Sequence, residues 1–322
     1  MIARAFGWGS AMAATRMACS LISIKVTAVA LGPAGLAMVA QFTGFVALLQ
    51  SMIGQGLVTG TVRLGAERAE AARGGPESDT RPAFAPPDPL PPSALRLALL
   101  LWAAAAVVVV VASGPIASWL FSAPGHAGLI AVAVVAVAAG IGTDLLHGML
   151  GVSKEVGLIG ISTIAATLLG LAVFAPSAWW FGIEGALWAS LTVFVLGFGV
   201  AALVVARRSR GVRLHVFSGR GQLALGRQLL GFYPMLVVNG ALPPLALLLV
   251  RDTLADTLSL HDAGLWQAAW RLCEAAQAVI VASVALHFMP SLGEHARDPA
   301  ALRRRILRTL GAAVGFSALL ML

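Results

Sequence analysis

The chain has 322 residues, of which 59% are apolar and only 11% are charged, and its mean hydropathy is +0.88. A soluble domain of this length cannot bury so much apolar surface, so the composition predicts an all-α, polytopic transmembrane helical bundle. The apolar runs are continuous rather than alternating, which excludes a β-barrel. The basic residues behind the net charge of +8 lie mostly between these runs, which argues against nucleic acid as a partner.

About nine membrane-spanning helices are predicted when each span takes about 20 apolar residues. Eight of them lie near residues 6–30, 36–62, 95–121, 128–151, 156–174, 184–206, 228–250 and 263–289. A ninth begins near residue 306 and is still apolar at Leu322. We therefore expect one complete six-helix lobe and part of a second, in a chain that ends early or is a fragment.

Two basic residues, Arg16 and Lys25, lie inside the first predicted helix. A charge at bilayer depth costs about 2.5–3.5 kcal/mol, so it usually faces a bundle interior or a water-filled cavity. We expect Arg16 to face such a cavity. Lys25 is half a turn out of register with Arg16, so it either joins the same cavity or extends to the outer interface. Gln41 in the second helix fits a polar cavity, although hydrogen bonding between helices explains it equally well.

The loop between the second and third helices, residues 63–94, contains seven prolines and nearly balanced charges. Such a segment cannot bury enough apolar surface to order itself, which is typical of a flexible surface loop.

The fourth predicted helix contains two titratable residues, Asp144 and His147, which are three positions apart. Both can titrate, so they are candidates for an ion- or proton-coupling site, unless water at the inner end of the helix solvates them.

A basic segment at residues 207–227 separates two predicted lobes and contains six arginines and no acid. It either contacts anionic lipid headgroups or, as we favour, simply determines topology. The predicted domains are an N-terminal lobe at 1–206, this cytoplasmic linker at 207–227, and a partial C-terminal lobe at 228–322. Small residues open the second, sixth and eighth helices at 32–36, 182–187 and 262–265, and they predict a tight turn of the chain at the membrane edge in each place. This similarity suggests an internal repeat, which is common in secondary transporters.

The eighth predicted helix carries the densest set of polar residues within an apolar segment. Gln267, Arg271 and Glu274 fall at i, i+4 and i+7, along one helical face. Arg271 and Glu274 can pair, which reduces the cost of burying each charge. A structural pair would explain those two residues, but Gln267 extends the same stripe, so the pattern favours the wall of a solvated cavity.

The orientation follows from counting Lys and Arg in the loops. With the N-terminus in the cytoplasm, eighteen of them fall on the inner side and only Arg251 falls on the outer side. This asymmetry predicts an N-terminus on the cytoplasmic side. The sequence has no Walker motif, no metal-ligand cluster and no nucleophile–base pair. We therefore expect no cofactor, no metal and no enzymatic activity.

Three stretches resemble a known family: KVTAVALGPAGL at 25–36, GIEGAL at 182–187, and AGLWQ at 263–267 with PSL at 290–292. They are similar to O-antigen and enterobacterial common antigen lipid flippases. These flippases form the polysaccharide-transporter branch of the multidrug/oligosaccharidyl-lipid/polysaccharide exporter superfamily. The resemblance implies two six-helix lobes around a central cavity lined by helices 1, 2, 7 and 8. It also implies transport of an undecaprenyl-diphosphate-linked oligosaccharide across the bacterial inner membrane.

The residues and the resemblance together give a functional expectation. Arg16 and Arg271, with Lys25, would hold the diphosphate, because guanidinium groups bind phosphate oxygens in a planar, bidentate fashion. Gln41 and Gln267 would meet sugar hydroxyls, and Glu274 would pair with Arg271 when no substrate is bound. The expected partners are this lipid, membrane lipids and other membrane proteins of polysaccharide assembly. The alternatives are a multidrug exporter of the same superfamily and a truncated, non-transporting membrane protein.

Overall fold

The structure is a computed structural model that describes residues 2–72, 90–121, 124–153, 155–208 and 222–274. Within these ranges every regular element is a helix, which confirms the predicted all-α class. The α-helices are α1 (Ile2–Gln50), α2 (Gly56–Ala72), α3 (Leu90–Val111), α4 (Ser113–Phe121), α5 (Ala127–Val152), α6 (Val156–Arg208) and α7 (Leu223–Thr257), followed by α8, described over 260–274. A π-helical turn (Ser51–Gln55) joins α1 to α2, and a 3₁₀ turn (Pro124–His126) precedes α5.

The two longest helices each contain a sharp reversal at a glycine. Gly32 in α1 has φ 70° and ψ −178°, and Gly182 in α6 has φ 62° and ψ −143°. A side chain makes positive φ unfavourable, so glycine is the residue that permits these turns. Pro33 follows the first turn and starts the second arm of α1, where its missing N–H costs nothing. The tight turns predicted at 32–36 and 182–187 are therefore confirmed, and each long helix supplies two predicted spans.

Four helical stretches are long and apolar enough to cross a membrane among the described residues: Ala11–Gly65, Leu90–Val111, Ala127–Val152 and Val156–Arg208. Many large apolar side chains along them are exposed, including Val107, Val108 and Val111. Such exposure is unfavourable in water and is what a lipid-facing surface requires. The predicted ninth helix and the rest of the partial C-terminal lobe beyond 274 lie outside the described residues.

Several helices extend beyond the predicted spans. Helix α2 runs through Ala72 and α3 begins at Leu90, so both ends of the predicted 63–94 loop are helical. Helix α7 begins at Leu223 and ends at Thr257, although the sequence predicts a span over 228–250. Polar and basic ends remain helical because their backbone hydrogen bonds are local, whereas the hydropathy pattern marks only the apolar centre of each helix.

A compact apolar core joins the first six spans to α7. Helix α1 packs mainly against α6 and α7, and α5 packs against α6 and α2. Phe42, Leu57, Ile130, Leu187 and Leu248 are among its fully buried side chains. Because Leu248 belongs to α7, this core ties the start of the predicted second lobe to the first.

One end of the bundle holds Gly32, Gly182 and the turn at 258–259, and we call it the glycine-kink end. There α8 touches the start of the second arm of α1 so closely that a Cβ on Gly264 would lie 1.9 Å from the Pro33 carbonyl oxygen. At the opposite end, the Gln222 backbone N–H donates to Ser93 Oγ over 2.8 Å and ties α7 to α3. The third small-residue opening, 262–265, thus uses its glycine for close helix packing.

Candidate functional site

A cavity of about 350 Å³ lies between α1, α6 and α8. Its α1 wall follows one helical face, with Arg16, Ser20, Ser23 and Thr27 pointing into the same space. Both arms of α6 contribute apolar and small side chains, and Gln267 and Arg271 come from α8. This stripe of serine and threonine was not predicted from the sequence, although its residues stand at helical spacing from Arg16.

Arg16 and Arg271, two of the predicted site residues, line this one cavity from different helices. Arg16 is exposed, and no hydrogen bond or ion pair joins it to another described residue. Arg271 is half-buried, and its Nη1 donates to Glu274 Oε2 over 3.0 Å. Glu274 also accepts a hydrogen bond of 2.9 Å from Trp270 Nε1. One guanidinium is therefore open to a ligand, while the other is held by a carboxylate on its own helix.

Gln267 is completely buried and belongs to the same α8 wall as Arg271. Its Oε1 accepts a hydrogen bond of 2.6 Å from Arg251 Nε. Its Nε2 has no hydrogen-bond partner in the part of the chain that the structure describes. The amide oxygen of Gln267 is therefore hydrogen-bonded, and its NH₂ group is left without a described partner.

The predicted position of Arg251, in an outer loop, is wrong. It lies inside α7, is 4% exposed, and donates from Nη1 to the Ala40 carbonyl oxygen over 2.9 Å. A Cβ on Gly44 would lie 2.8 Å from the same Nη1, so the glycine makes room for the guanidinium. The signal was present in the loop count, because Arg251 was the one basic residue that violated the charge asymmetry.

Lys25 and Gln41 do not line this cavity. Lys25 is exposed on the first arm of α1. Gln41 is 2% exposed, and its Oε1 has no partner among the described residues. It follows Ala40, which does line the cavity, so it points to a different side of the helix.

Asp144 and His147 lie on α5 in a separate polar cluster. Gln50 Nε2 donates to Asp144 Oδ2 over 2.7 Å, beside the π-helical turn that follows Gln50. His147 Nε2 lies 2.8 Å from Ser162 Oγ. The Ser162 hydroxyl donates its proton to the Ile159 carbonyl over 3.0 Å, so His147 Nε2 is the donor to Ser162.

The cavity also differs from the expectation that helices 1, 2, 7 and 8 would line it. Both arms of α1 and α8 do so, but the remaining lining comes from the two arms of α6 rather than from α7. No group of three or more His, Cys, Asp or Glu side chains that could hold a metal ion occurs in the described ranges. The side chains that line the cavity offer hydrogen bonds and, from Arg16 and Arg271, positive charge.

The described chain is an all-α bundle with four helical stretches long and apolar enough to cross a membrane, and comparison with solved structures gives its fold. An inward-facing multidrug resistance MATE family transporter of the MOP superfamily aligns with a TM-score of 0.68 over 93% of this chain and 70% of its own, at 17% identity. A MATE crystal structure in the bent conformation aligns with a TM-score of 0.60 over 97% and 69%, also at 17% identity. The chain thus has a MATE-like fold.

The sequence itself is similar to the lipid III flippases of Escherichia coli (strain K12) and Shigella flexneri. Each is 26% identical over 292 residues, which cover 90% of this chain and 67% of the flippase. No family model matches the chain. The predicted resemblance to a lipid-linked flippase is confirmed by this sequence similarity, and the MATE-like fold agrees with it. These relatives are flippases and transporters, in agreement with the prediction that the chain is not an enzyme.

Proposed function

We propose that this protein is a flippase that carries an undecaprenyl-diphosphate-linked oligosaccharide, an O-antigen or common-antigen repeat unit, across the bacterial inner membrane. The observation that carries the proposal is that Arg16 and Arg271 line one cavity from different helices. The name of the relatives, lipid III flippase, supports a lipid-linked cargo. No covalent bond is made or broken in this function, so the protein has only to bind the lipid-linked oligosaccharide, shield it from the bilayer and release it.

A diphosphate needs fixed positive charge where water is scarce. Charge-assisted hydrogen bonds from guanidinium groups to phosphate oxygens contribute about 1.5–3 kcal/mol each. Arg16 is the first contact, because it is exposed in the cavity and no described residue pairs with it. Arg271 exchanges its bond with Glu274 for one with the cargo, and the carboxylate takes it back on release. Ser20, Ser23 and Thr27 offer hydroxyls to the sugars.

Neither Lys25 nor Gln41 contacts the cargo in this conformation under the proposal, since neither lines the cavity. The lipid tail stays in the bilayer, where each buried CH₂ contributes about 0.8 kcal/mol. The N-terminus lies in the cytoplasm, and the lobe at 1–206 rocks against the lobe that begins near 228. Loop charge supports this orientation, because eighteen of the Lys and Arg residues fall on the inner side of the topology predicted from the sequence.

Asp144 and His147 form the proposed coupling site. A proton or cation that binds Asp144 competes with the hydrogen bond from Gln50, which lies at the start of the π-helical turn. Such turns often occur at functional positions, where a helix changes its register.

The structural neighbours favour one rival, a multidrug exporter. A transporter of organic cations needs exposed acidic or aromatic cavity walls. Phe174 and Phe194 line this cavity, but among the described residues its charged members are both basic, Arg16 and Arg271. The nearby Glu274 is already paired with Arg271. The charge of the lining therefore supports an anionic cargo.

The test is rescue of surface polysaccharide in a flippase-deficient strain. We expect rescue by the wild-type chain and loss of rescue in Arg16→Ala and Arg271→Ala, with normal amounts of each variant in the membrane. Lys25→Ala is the matched control, because it removes a basic residue from the same helix as Arg16 but outside the cavity. Full rescue by both arginine variants would eliminate the proposed binding site.

A further inference from the structure

The orientation of the Gln267 amide is determined by its neighbour. Arg251 Nε lies 2.6 Å from the amide atom that faces it. Arginine carries five N–H donors and no acceptor, so the facing atom has to be the oxygen. The NH₂ group of Gln267 is therefore fixed on the other side, and this assignment follows from the hydrogen-bond network rather than from atom labels.

Arg251 is itself held firmly. Its Nη1 donates to the Ala40 carbonyl on α1, its Nε donates to Gln267 on α8, and its own backbone lies in α7. Gly44, one helical turn after Ala40, leaves only enough space for the guanidinium. A guanidinium that is tied to three helices cannot easily turn away and let the amide flip.

The NH₂ group of Gln267 is left without a partner in the described part of the chain. Burying an unsatisfied donor is unfavourable, and such groups in native proteins call for an explanation. Gln267 is fully buried and lines the cavity next to Arg271, which stands one helical turn farther along α8. The unsatisfied donor thus lies directly beneath the cavity surface, beside a guanidinium.

We propose that Arg251 is a specificity-determining positioning residue that makes the α8 wall a donor-only surface. With the Gln267 oxygen turned away, the wall offers the NH₂ of Gln267 and the N–H groups of Arg271, so it selects a group that only accepts hydrogen bonds. A phosphate oxygen is such a group, whereas a sugar hydroxyl must also donate. This inference rests on the proposed function and assigns Gln267 to the diphosphate rather than to the sugars.

The experiment measures how tightly purified protein in detergent binds two probes, farnesyl diphosphate and farnesol. The readout is the ratio of the two affinities, which a merely structural role of these residues would leave unchanged. Gln267→Glu keeps the volume and the oxygen that faces Arg251, but it replaces the buried, unpartnered NH₂ with a carboxylate oxygen. We expect it to weaken farnesyl diphosphate binding by at least about 10-fold, to leave farnesol binding within about 2-fold, and to keep the melting temperature.

Arg251 is tested through the same ratio. Arg251→Met frees the amide to turn either way and removes a nearby positive charge, so we expect the preference for the diphosphate to fall several-fold. Arg251→Lys keeps the charge and one donor, so it restores part of the preference. Ser118→Ala, an exposed position on α4 outside the cavity, is the control and leaves both affinities unchanged.

Each outcome decides between explanations. If wild type binds farnesyl diphosphate and Gln267→Glu binds it equally well, the inference is wrong and the proposed function stands. If wild type shows no preference for the diphosphate, the proposed function fails and this inference fails with it. A buried water that joins the Gln267 NH₂ to the unpartnered Gln41 oxygen would make Gln41→Met and Gln267→Met equivalent, which also overturns the inference. Should Gln267→Glu not fold, the ratio for Gln267→Met decides.

Discussion

Arg16 and Arg251 are both arginines inside helices of the bundle, but their surroundings are opposite. Arg251 is 4% exposed and donates to the Ala40 carbonyl and the Gln267 amide. Arg16 is exposed in the cavity, and no hydrogen bond links it to the rest of the described chain. A buried charge has to be satisfied by the fold, whereas a charge left open in a cavity is available for a ligand. The hydrogen-bond partners of each arginine therefore distinguish a structural role for Arg251 from a ligand-binding role for Arg16.

The contrast extends to the neighbours of each arginine. Around Arg251, glycines allow close approach: Gly44 accommodates the guanidinium, and Gly264 places α8 against Pro33. Around Arg16, small hydroxyl side chains leave open space along α1. The close packing around Arg251 therefore fixes its position, whereas the open space around Arg16 leaves it able to exchange partners.

The largest expected effect is a loss of stability when α8 is displaced. This helix holds Gln267 within hydrogen-bond distance of Arg251. A Cβ at Gly264 would meet the Pro33 carbonyl oxygen at 1.9 Å, and a rigid backbone atom cannot move aside cheaply. Gly264→Ala should therefore destabilise the protein by about 1–3 kcal/mol through overpacking, measured as a lower melting temperature in detergent. The matched control is Gly199→Ala in α6, where a Cβ meets nothing within 4 Å and should be neutral or slightly stabilising. Equal melting temperatures for the two variants would refute the close contact.

A direct comparison of the two arginines comes next. Arg251→Met removes the side-chain donor of the buried Gln267 oxygen and one donor of the Ala40 carbonyl, at a cost of about 1–3 kcal/mol. Arg16→Met removes no bond to a described residue, so its melting temperature should stay close to that of wild type. Thermal unfolding of both variants in the same detergent checks this difference. A drop for Arg16→Met as large as that for Arg251→Met would show that Arg16 is also structural.

Arg271 is intermediate between Arg16 and Arg251, because it has an ion-pair partner, Glu274, but remains partly exposed. The pair is about one-third exposed, with side-chain accessibilities of 36% and 34%, so its strength is limited to about 0.2–1 kcal/mol. Glu274→Gln removes the competing charge and should tighten binding of farnesyl diphosphate by about 2- to 5-fold. Asp256→Asn, which removes an exposed acid at the end of α7, is the control. Weaker binding in Glu274→Gln would mean that the carboxylate orients Arg271 for the ligand instead of competing with it.

The smallest expected effect belongs to Lys25. It is exposed and does not line the cavity, so Lys25→Ala should change farnesyl diphosphate affinity by less than about 2-fold, as is usual for an exposed charge. A titration of the variant beside wild type measures this. A loss of tenfold or more would place the anion near the glycine-kink end, away from Arg16.

Helix positions and glycine turns followed from the sequence because both depend on local chemistry. Continuous apolar runs fix the spans, and positive φ at Gly32 and Gly182 needs only the absence of a side chain. The α8 stripe of Gln267, Arg271 and Glu274 was also visible, since helical periodicity alone puts the three residues on one face.

Arg251 was missed for a physical reason. Hydropathy assigns a charge beside Asp252 to a loop, but Arg251 remains in α7 because partners far away in sequence, Ala40 and Gln267, satisfy its guanidinium. Long-range pairing of this kind leaves no local pattern. The same limit explains why the α6 walls of the cavity were unexpected: they consist of ordinary apolar and small residues whose role depends on which helices meet.

The most direct test of the central claim, that one cavity holds the anionic headgroup, is protection from cysteine labelling. In a background carrying Cys19→Ala and Cys273→Ala, single cysteines replace Ser20 and Thr43 on the cavity wall and Thr257 at the exposed end of α7. We predict that saturating farnesyl diphosphate slows maleimide labelling at Ser20→Cys and Thr43→Cys, but not at Thr257→Cys, and that farnesol protects none of them. Unchanged labelling at both cavity positions with saturating farnesyl diphosphate would contradict the account.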